Sequence, residues 1–354
     1  YSLPVSTTHS CIGGIIGMTI VSKGVDAVNW EKVTEVVISW FIAPLLSGII
    51  ASFGFYNIRH FILRNENSLE RGIKFYPMMM FFTFTVNTFY FIYKGSPGLG
   101  LKKIDIWEGI GYSILVSIVI TPVVYLICMP ILTRRVRGED NTAQWDNSTL
   151  TRATNRLEEI LEQDIINADT GTAEIFDEKT ENLFSFLQIF TACFDAFAHG
   201  ANDVANSIGP LAAIISIYNS GEVNSKVEVP IWILVIGGSG IIAGLVIFGY
   251  NIIKAIGVNL TKITPSRGFN IELGSAFTVI TASKLGIPVS TTHCQVGATV
   301  GVGITDSSGK KNINCLLLFK VFFGWIITLV IAGGVAGILF IFGYNSPPKA
   351  SLCS

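Results

Sequence analysis

The chain has 354 residues, of which 50% are hydrophobic and only 14% charged, with a formal net charge of −1 and a mean hydropathy of +0.56. A soluble domain of this size would carry nearer a quarter charged residues. The balance therefore argues against an ordinary soluble globule; the net charge says nothing about nucleic acid, and no basic, aromatic-interleaved patch points to it.

The chain opens inside a motif, "YSLPVSTTHS", followed by a glycine-spaced apolar helix to about Ser22. It begins without Met, and an N-terminal part of the natural protein is expected upstream. Spanning the hydrocarbon core takes about 20 mostly apolar residues. The stretches 33–57, 75–93, 108–132, 230–250 and 316–343 meet that length. Fuller element boundaries are 33–63, 72–94 and 108–132 in the first half, then 183–218, 230–256, 272–304 and 316–343 in the second. The expected fold is all-α: a polytopic membrane protein, with a soluble helical core as the weak alternative.

One clearly hydrophilic stretch, roughly 134–182, separates the halves. It is polar enough to be a flexible loop, apart from a short amphipathic piece, "LEEILEQDI". The domains expected are 1–132, 133–182 and 183–354: a transmembrane repeat, a hydrophilic loop and a second transmembrane repeat. Asn147 begins a glycosylation sequon, "NST". The six cysteines, Cys11, Cys128, Cys193, Cys294, Cys315 and Cys353, form no CxxC pair and read as small apolar residues rather than a disulfide framework or metal site.

The second half repeats the first. "PVSTTH" occurs at 4–9 and again at 288–293. Placing Pro4 on Pro288 brings Gly13 onto Gly297 and Gly17 onto Gly301. A one-residue shift then brings Trp40 onto Trp325 and Gly48 onto Gly333. Small residues four apart let transmembrane helices approach closely. If residues 272–304 dip into the membrane and return as a re-entrant hairpin, the two copies have inverted topology. If that segment crosses fully, they run the same way. Counting Lys and Arg near the span ends slightly favours the hairpin and makes the face carrying 134–182 cytoplasmic. On that topology Asn147 is unglycosylated and the C-terminus is extracellular.

Two polar clusters sit in these apolar surroundings. In PVSTTH, proline and hydroxyl residues are what a helix start favours. Such a start presents free backbone N–H groups and a positive dipole end, and in a membrane these need a partner. An oxyanion fits Ser6, Thr7, Thr8 and Ser290, Thr291, Thr292; an ordinary cap against a neighbouring loop is the alternative. The second cluster is "FDAFAHGANDVANSIGPL", where Asp195, His199, Asn202, Asp203, Asn206 and Ser207 fall within a dozen residues. Gly200, Gly209 and Pro210 predict a break in this helix. Asn202 with Asn206, and Asp203 with Ser207, share helical faces, and their oxygens suit a hard cation such as sodium. The alternative is a satisfied interhelical hydrogen-bond network.

Glu272, in "RGFNIELGSAF", is a coupling or gating carboxylate near the cytoplasmic mouth, or a snorkelling interfacial residue. Lys320 reads as snorkelling or paired. Anion-binding helix starts beside hard-cation ligands, in repeated halves, describe a secondary transporter with a midplane site. Ser290 with His293, or Asp195 with His199, could instead form an intramembrane hydrolase dyad, although no G-x-S-x-G elbow is present. A channel is disfavoured, because the polar residues gather at two places rather than lining a path.

The motifs "HGANDVANSIGPL" and "GIPVSTTHCQVG", with "YSLPVSTTHS" as the other copy, resemble the inorganic phosphate transporter (PiT) family. The resemblance implies inverted repeats, broken helices and sodium- or proton-coupled phosphate symport, with sodium favoured. Another oxyanion such as sulfate remains a transport alternative. It also implies phosphate held by Ser6, Thr7, Thr8, Ser290, Thr291 and Thr292, and the cation held by Asn202, Asp203 and Asn206, with Ser207 beside them. No cofactor beyond the co-transported ion is expected. A homodimer in a plasma membrane is expected, and a first GANDVANS-like copy is expected upstream of Tyr1. His9 and His293, which close each PVSTTH, either tune the site or pack behind it; packing is preferred.

Overall fold

The computed structural model describes residues 4–94, 104–137, 173–223, 229–306, 309 and 313–346. The sequon at Asn147, the piece "LEEILEQDI" and Cys353 lie outside them. The described residues form helices α1 (Thr7–Lys23), α2 (Trp30–Ile58, prolonged by a π turn to Leu63), α3 (Ser68–Lys94), α4 (Ile106–Arg137), α5 (Glu178–Ser220), α6 (Ile231–Lys254, prolonged by a π turn to Leu260), α7 (Pro265–Lys284), α8 (Thr291–Thr305) and α9 (Cys315–Asn345). Among the described residues five stretches are long and apolar enough to cross a membrane: Trp30–Leu63, Ile106–Arg134, Glu178–Ser220, Ile231–Gly257 and Cys315–Asn345. The expected span over 75–93 is helical but not among these, because Thr83, Thr85 and Asn87 interrupt its apolar run.

The segment 272–304 is a hairpin. α7 and α8 run antiparallel, and their outer ends are clamped by Arg267 Nη2 to Asp306 Oδ2 at 2.6 Å. The turn between them passes through Gly286, whose φ of +71° is a left-handed conformation that suits glycine. The tip therefore carries Pro288, Val289 and Ser290. That tip meets the start of α1: Thr8 Oγ1 donates to the Val289 carbonyl at 3.0 Å, and Thr292 Oγ1 donates to the Val5 carbonyl at 3.2 Å. Each motif copy thus satisfies backbone of the other.

From this junction the two motif helices leave in opposite directions. α1 runs parallel to α9, with Gly13 against Leu329 and Gly17 against Gly333. α8 runs parallel to α2, with Gly297 against Pro44 and Gly301 against Gly48. Each motif helix therefore packs on the long tryptophan-bearing helix of the other copy. The glycines that align in the repeat are the ones in backbone contact. A Cβ on Gly17 or Gly301 would overlap a carbonyl oxygen of the facing helix. Without water, helices in a bilayer associate through such packing rather than through the hydrophobic effect.

α5 corrects one expectation. It is a single unbroken helix of 43 residues with Pro210 inside it, about 64 Å long. Asp177 caps its start by accepting from Thr180 N–H, and Gly221 ends it at φ +69°. A proline removes one helical hydrogen bond. Unwinding in hydrocarbon would strand several more backbone groups, so continuing the helix costs less than breaking it.

The face at which α2 and α8 end and α3, α5, α7 and α9 begin carries most of the buried core: Phe55, Tyr76, Met80, Leu183, Phe184 and Ile271 are all at most 1% exposed. Charged groups tie the same face together. Residues 173–177, a non-helical strap before α5, lie across it, and Glu174 accepts from Arg59 Nε at 2.8 Å and Arg64 Nε at 2.7 Å. Burial raises the Glu174 carboxyl pKa, but the Arg64 and Arg59 guanidinium groups outweigh it and hold the group below its ordinary value.

Two predictions follow from these contacts. Gly301→Val should lower the thermal stability of the purified protein by an amount corresponding to about 1–3 kcal/mol. Gly244→Val, where an added Cβ meets nothing within 4 Å, should leave it within experimental error. Because the folded carboxyl titrates below its unfolded value of about 4.3, Glu174 stabilises the fold at higher pH and loses that contribution as pH falls through its folded pKa. The melting-temperature difference between the parent protein and Glu174→Gln should therefore be constant at neutral pH and shrink below about pH 4.3.

Candidate functional site

The junction of the two motif tips lies against the middle of α5, and Asp203 is where they meet. Thr7 Oγ1, at the start of α1, donates to Asp203 Oδ1 at 2.8 Å. Thr291 Oγ1, at the start of α8, lies 3.3 Å from both Asp203 carboxylate oxygens. Asn202 Nδ2 approaches Oδ1 at 3.4 Å. One turn on, Asn206 Nδ2 donates to Thr8 Oγ1 at 3.0 Å. Asn202, Asp203 and Asn206 thus share a small volume with Thr7, Thr8 and Thr291, although the three groups are far apart in sequence.

The hydroxyls divide into two kinds. Ser6 and Ser290 are the N-caps of α1 and α8, accepting from the His9 and His293 N–H groups at 3.2 and 3.3 Å, and they are 1% and 3% exposed. Their local role is the conventional helix cap. The threonines that follow carry the hydroxyls facing α5 or the opposite tip. Helix geometry leaves the N–H groups of Thr7 and Thr8, and of Thr291 and Thr292, without intrahelical acceptors. Thr292 itself turns to the Val5 carbonyl. Ser207 bonds back to the Asp203 carbonyl at 2.8 Å, so its hydroxyl serves its own helix.

From Thr7, Asn206 and Ser207 a cleft of about 440 Å³ runs along α1 past Ser10, Gly14 and Met18, toward the face where α1 and α5 end. Beneath Asp203, in the other direction, lies a second polar layer. His199 Nδ1 is 2.8 Å from its own helix's Asp195 carbonyl and 2.9 Å from Asp195 Oδ1. The carboxylate contact is a close approach off the hydrogen-bonding direction, since His199 Nδ1 bonds the carbonyl. His199 Nε2 lies 3.4 Å from both the Thr291 carbonyl and Ser275 Oγ, touching both arms of the hairpin.

Glu272 stands apart from both layers. It sits about two turns inside α7, half-buried, and accepts from Thr191 Oγ1 of α5 at 2.5 Å. Lys320, by contrast, is exposed on α9. Thr191 and Ser275 were not legible as site neighbours, because single hydroxyls in apolar helices carry no pattern.

The motif histidines lie behind the tips. His9 and His293 are 0% and 2% exposed, their rings 4.7 Å apart, with Trp40 4.1 Å from His9 and Trp325 3.5 Å from His293. His9 Nδ1 is 3.3 Å from the Trp325 carbonyl, and Trp325 Nε1 donates to the Pro4 carbonyl at 3.1 Å. They join the two motif copies rather than face the cleft.

Apolar spans around a polar centre built from opposed helix starts define a helical membrane protein of the secondary-transporter kind. The chain belongs to the phosphate transporter family, whose model matches residues 1–336. It is 34% identical to a candidate phosphate permease of Pyrococcus horikoshii, covering 96% of this chain and 73% of that one. It is 26% identical to sodium-dependent phosphate transporter 1 of Homo sapiens, covering 97% of this chain and 81% of that one. A solved structure titled the sodium-dependent phosphate transporter superposes with a TM-score of 0.72 at 27% identity, covering 98% of this chain and 75% of that one. Family and relatives are transporters, which removes the hydrolase alternative.

The two roles of the hydroxyls are separable by experiment. Ser290→Ala should cost about 1 kcal/mol of stability through the lost cap. Thr291→Val, which keeps the cap and the shape, should leave the melting temperature nearly unchanged while altering the Asp203 environment. Thermal unfolding of the two variants side by side checks this.

Proposed function

We propose that the protein imports inorganic phosphate by symport with sodium, using alternating access between inverted repeats. The observation that carries this reading is the convergence of Thr7 and Thr291, one from each opposed helix start, on the carboxylate of Asp203. A carboxylate presents acceptor oxygens like those of phosphate. Phosphate entering between the tips would take the threonine hydroxyls and the free N–H groups of both helix starts. Asp203 would lose its donors and hold a sodium ion with the side-chain oxygens of Asn202 and Asn206, Ser207 contributing from the same helix. Each ligand then favours the other, because the anion frees the cation's carboxylate and the cation neutralises the charge beside the anion.

On this reading Ser6, Thr7, Thr8, Ser290, Thr291 and Thr292 form the phosphate site, the two serines acting through their helix caps. Glu272 acts in coupling through its contact with α5. The reciprocal packing of α1 on α9 and α8 on α2 supports the inverted arrangement. We assign the protein to the plasma membrane as a homodimer, with 133–182 cytoplasmic and the C-terminus extracellular. A proton in place of sodium is the second reading, favoured by the Asp195–His199 pair and Glu272 beneath the site.

Phosphate uptake into proteoliposomes distinguishes these readings. A sodium gradient should drive uptake severalfold above background, and a pH gradient alone should not; the reverse result establishes the proton. Asp203→Asn and Thr291→Val should each lower uptake at least about tenfold, the loss of an interaction worth about 1.4 kcal/mol or more. Unchanged uptake in both variants refutes the site. Arsenate should compete, and competition by sulfate to the same degree would favour a general oxyanion carrier.

A further inference from the structure

The two ends of the transport site are built differently. Toward the face where α1 and α5 end, the site opens into the cleft along α1. Toward the face where α5 and α7 begin, it is covered by packed side chains and by a charge network that no transported ion needs to touch. That network is centred on the strap 173–177. The Glu174 N–H donates to Asp306 Oδ1 at 3.2 Å, and its carbonyl accepts from Arg267 Nη2 at 2.7 Å. Its carboxylate takes Arg59 and Arg64. Glu174 thereby connects the end of α2, the turn before α3 and both outer ends of the α7–α8 hairpin. Arg59 closes the circuit by donating to the Thr305 carbonyl.

Two further contacts fix the strap. Phe176 lies beside the Arg267 guanidinium, 5.2 Å from ring centre, with Phe55 on another side at 5.5 Å. A few residues on, Glu181 of α5 accepts from Ser266 N–H at 2.9 Å, from Ser266 Oγ at 2.8 Å and from Thr264 Oγ1 at 3.0 Å, which caps the start of α7. Arg267 and Asp306 are both almost wholly buried, and a buried charge that loses its partner is costly. Glu174, 20% exposed, and Arg64, 46% exposed, can separate cheaply because water replaces the lost partner. Arg59, 10% exposed, holds the same carboxylate, so of the strap's ion pairs the one to Arg64 separates most easily.

We propose that residues 173–177 are a latch that holds the α7–α8 hairpin closed against α5 on this face, with the Glu174–Arg64 pair as its release point. This rests on the alternating-access reading. The latch must let go for the site to open on the strap's side, and the strap is the direct continuation of the hydrophilic loop into α5.

The test uses the full chain reconstituted in liposomes. Glu174→Cys with Arg64→Cys is joined by a flexible thiol–thiol cross-linker about 10 Å long, since a direct disulfide would need the Cα atoms within about 7 Å. Cross-link yield is read by peptide mass spectrometry. Uptake should fall at least tenfold on cross-linking and return when a cleavable linker is reduced, which shows that the fold was intact. Full cross-linking with unchanged uptake overturns the latch. Independently, Glu174→Gln should raise amide exchange at residues 266–268 and 302–306 about tenfold, the expected result of weakening a coupling of ordinary size; unchanged exchange there also overturns it. If the uncross-linked protein transports phosphate under neither ion gradient, the functional reading fails, and the exchange measurement still decides the latch.

Discussion

The structure depends on one constraint: a helix that begins in the middle of a membrane protein must find partners for its first N–H groups and hydroxyls. Two such beginnings are present, at Thr7 and Thr291, and each is served by the other. The Thr8 and Thr292 hydroxyls reach across to carbonyls of the opposite tip, while Thr7 and Thr291 reach Asp203. Any arrangement that separated the tips would leave several polar groups in hydrocarbon, at several kcal/mol each. The same groups that the two helix starts must satisfy are the ones that can be offered to an anion.

The glycine faces make this meeting possible. Opposed helix starts come together only if the helices behind them lie close to their partners. Gly13 and Gly17 allow that for α1, and Gly297 and Gly301 allow it for α8. The histidines and tryptophans complete the joint. His9 and His293 lie between Trp40 and Trp325 with their ring planes tilted, so the junction of the two motif copies is filled with flat rings rather than with branched side chains. Rigid backbone contact on either side of a compact aromatic joint suits a unit that moves as blocks.

Along α5 the chemistry changes in layers. Its first turns are packed and ion-bonded, with Glu181 capping α7. Its middle carries Asp195 with His199 and then Asp203, and its last turns border the open cleft. Titratable groups in one helix thus run from the closed face to the site, and His199 touches both arms of the hairpin at once. Movement of the hairpin relative to α5 changes all these contacts together.

The class of protein was legible in the sequence, and so were the two polar motifs that the structure brings together at Asp203. Apolar length determines that a segment spans a bilayer, and a hydroxyl motif that occurs twice with its glycines in register identifies a repeat whatever its folding. Which hydroxyls face the site was not legible. Ser6 and Thr7 are adjacent and chemically alike, and only the helix start, by turning one inward as a cap and the other outward, separates them. The break expected at Gly200, Gly209 and Pro210 did not occur, because local propensity is outweighed where no water can take up the freed backbone groups. Glu174 lies in a stretch that reads as polar loop; its role arises from arginines more than a hundred residues away. Local pattern determined which segments enter the membrane and which carry polar chemistry. Only the tertiary structure decided which of those polar groups meet, because partners so distant in sequence are set by how the glycine-faced helices pack.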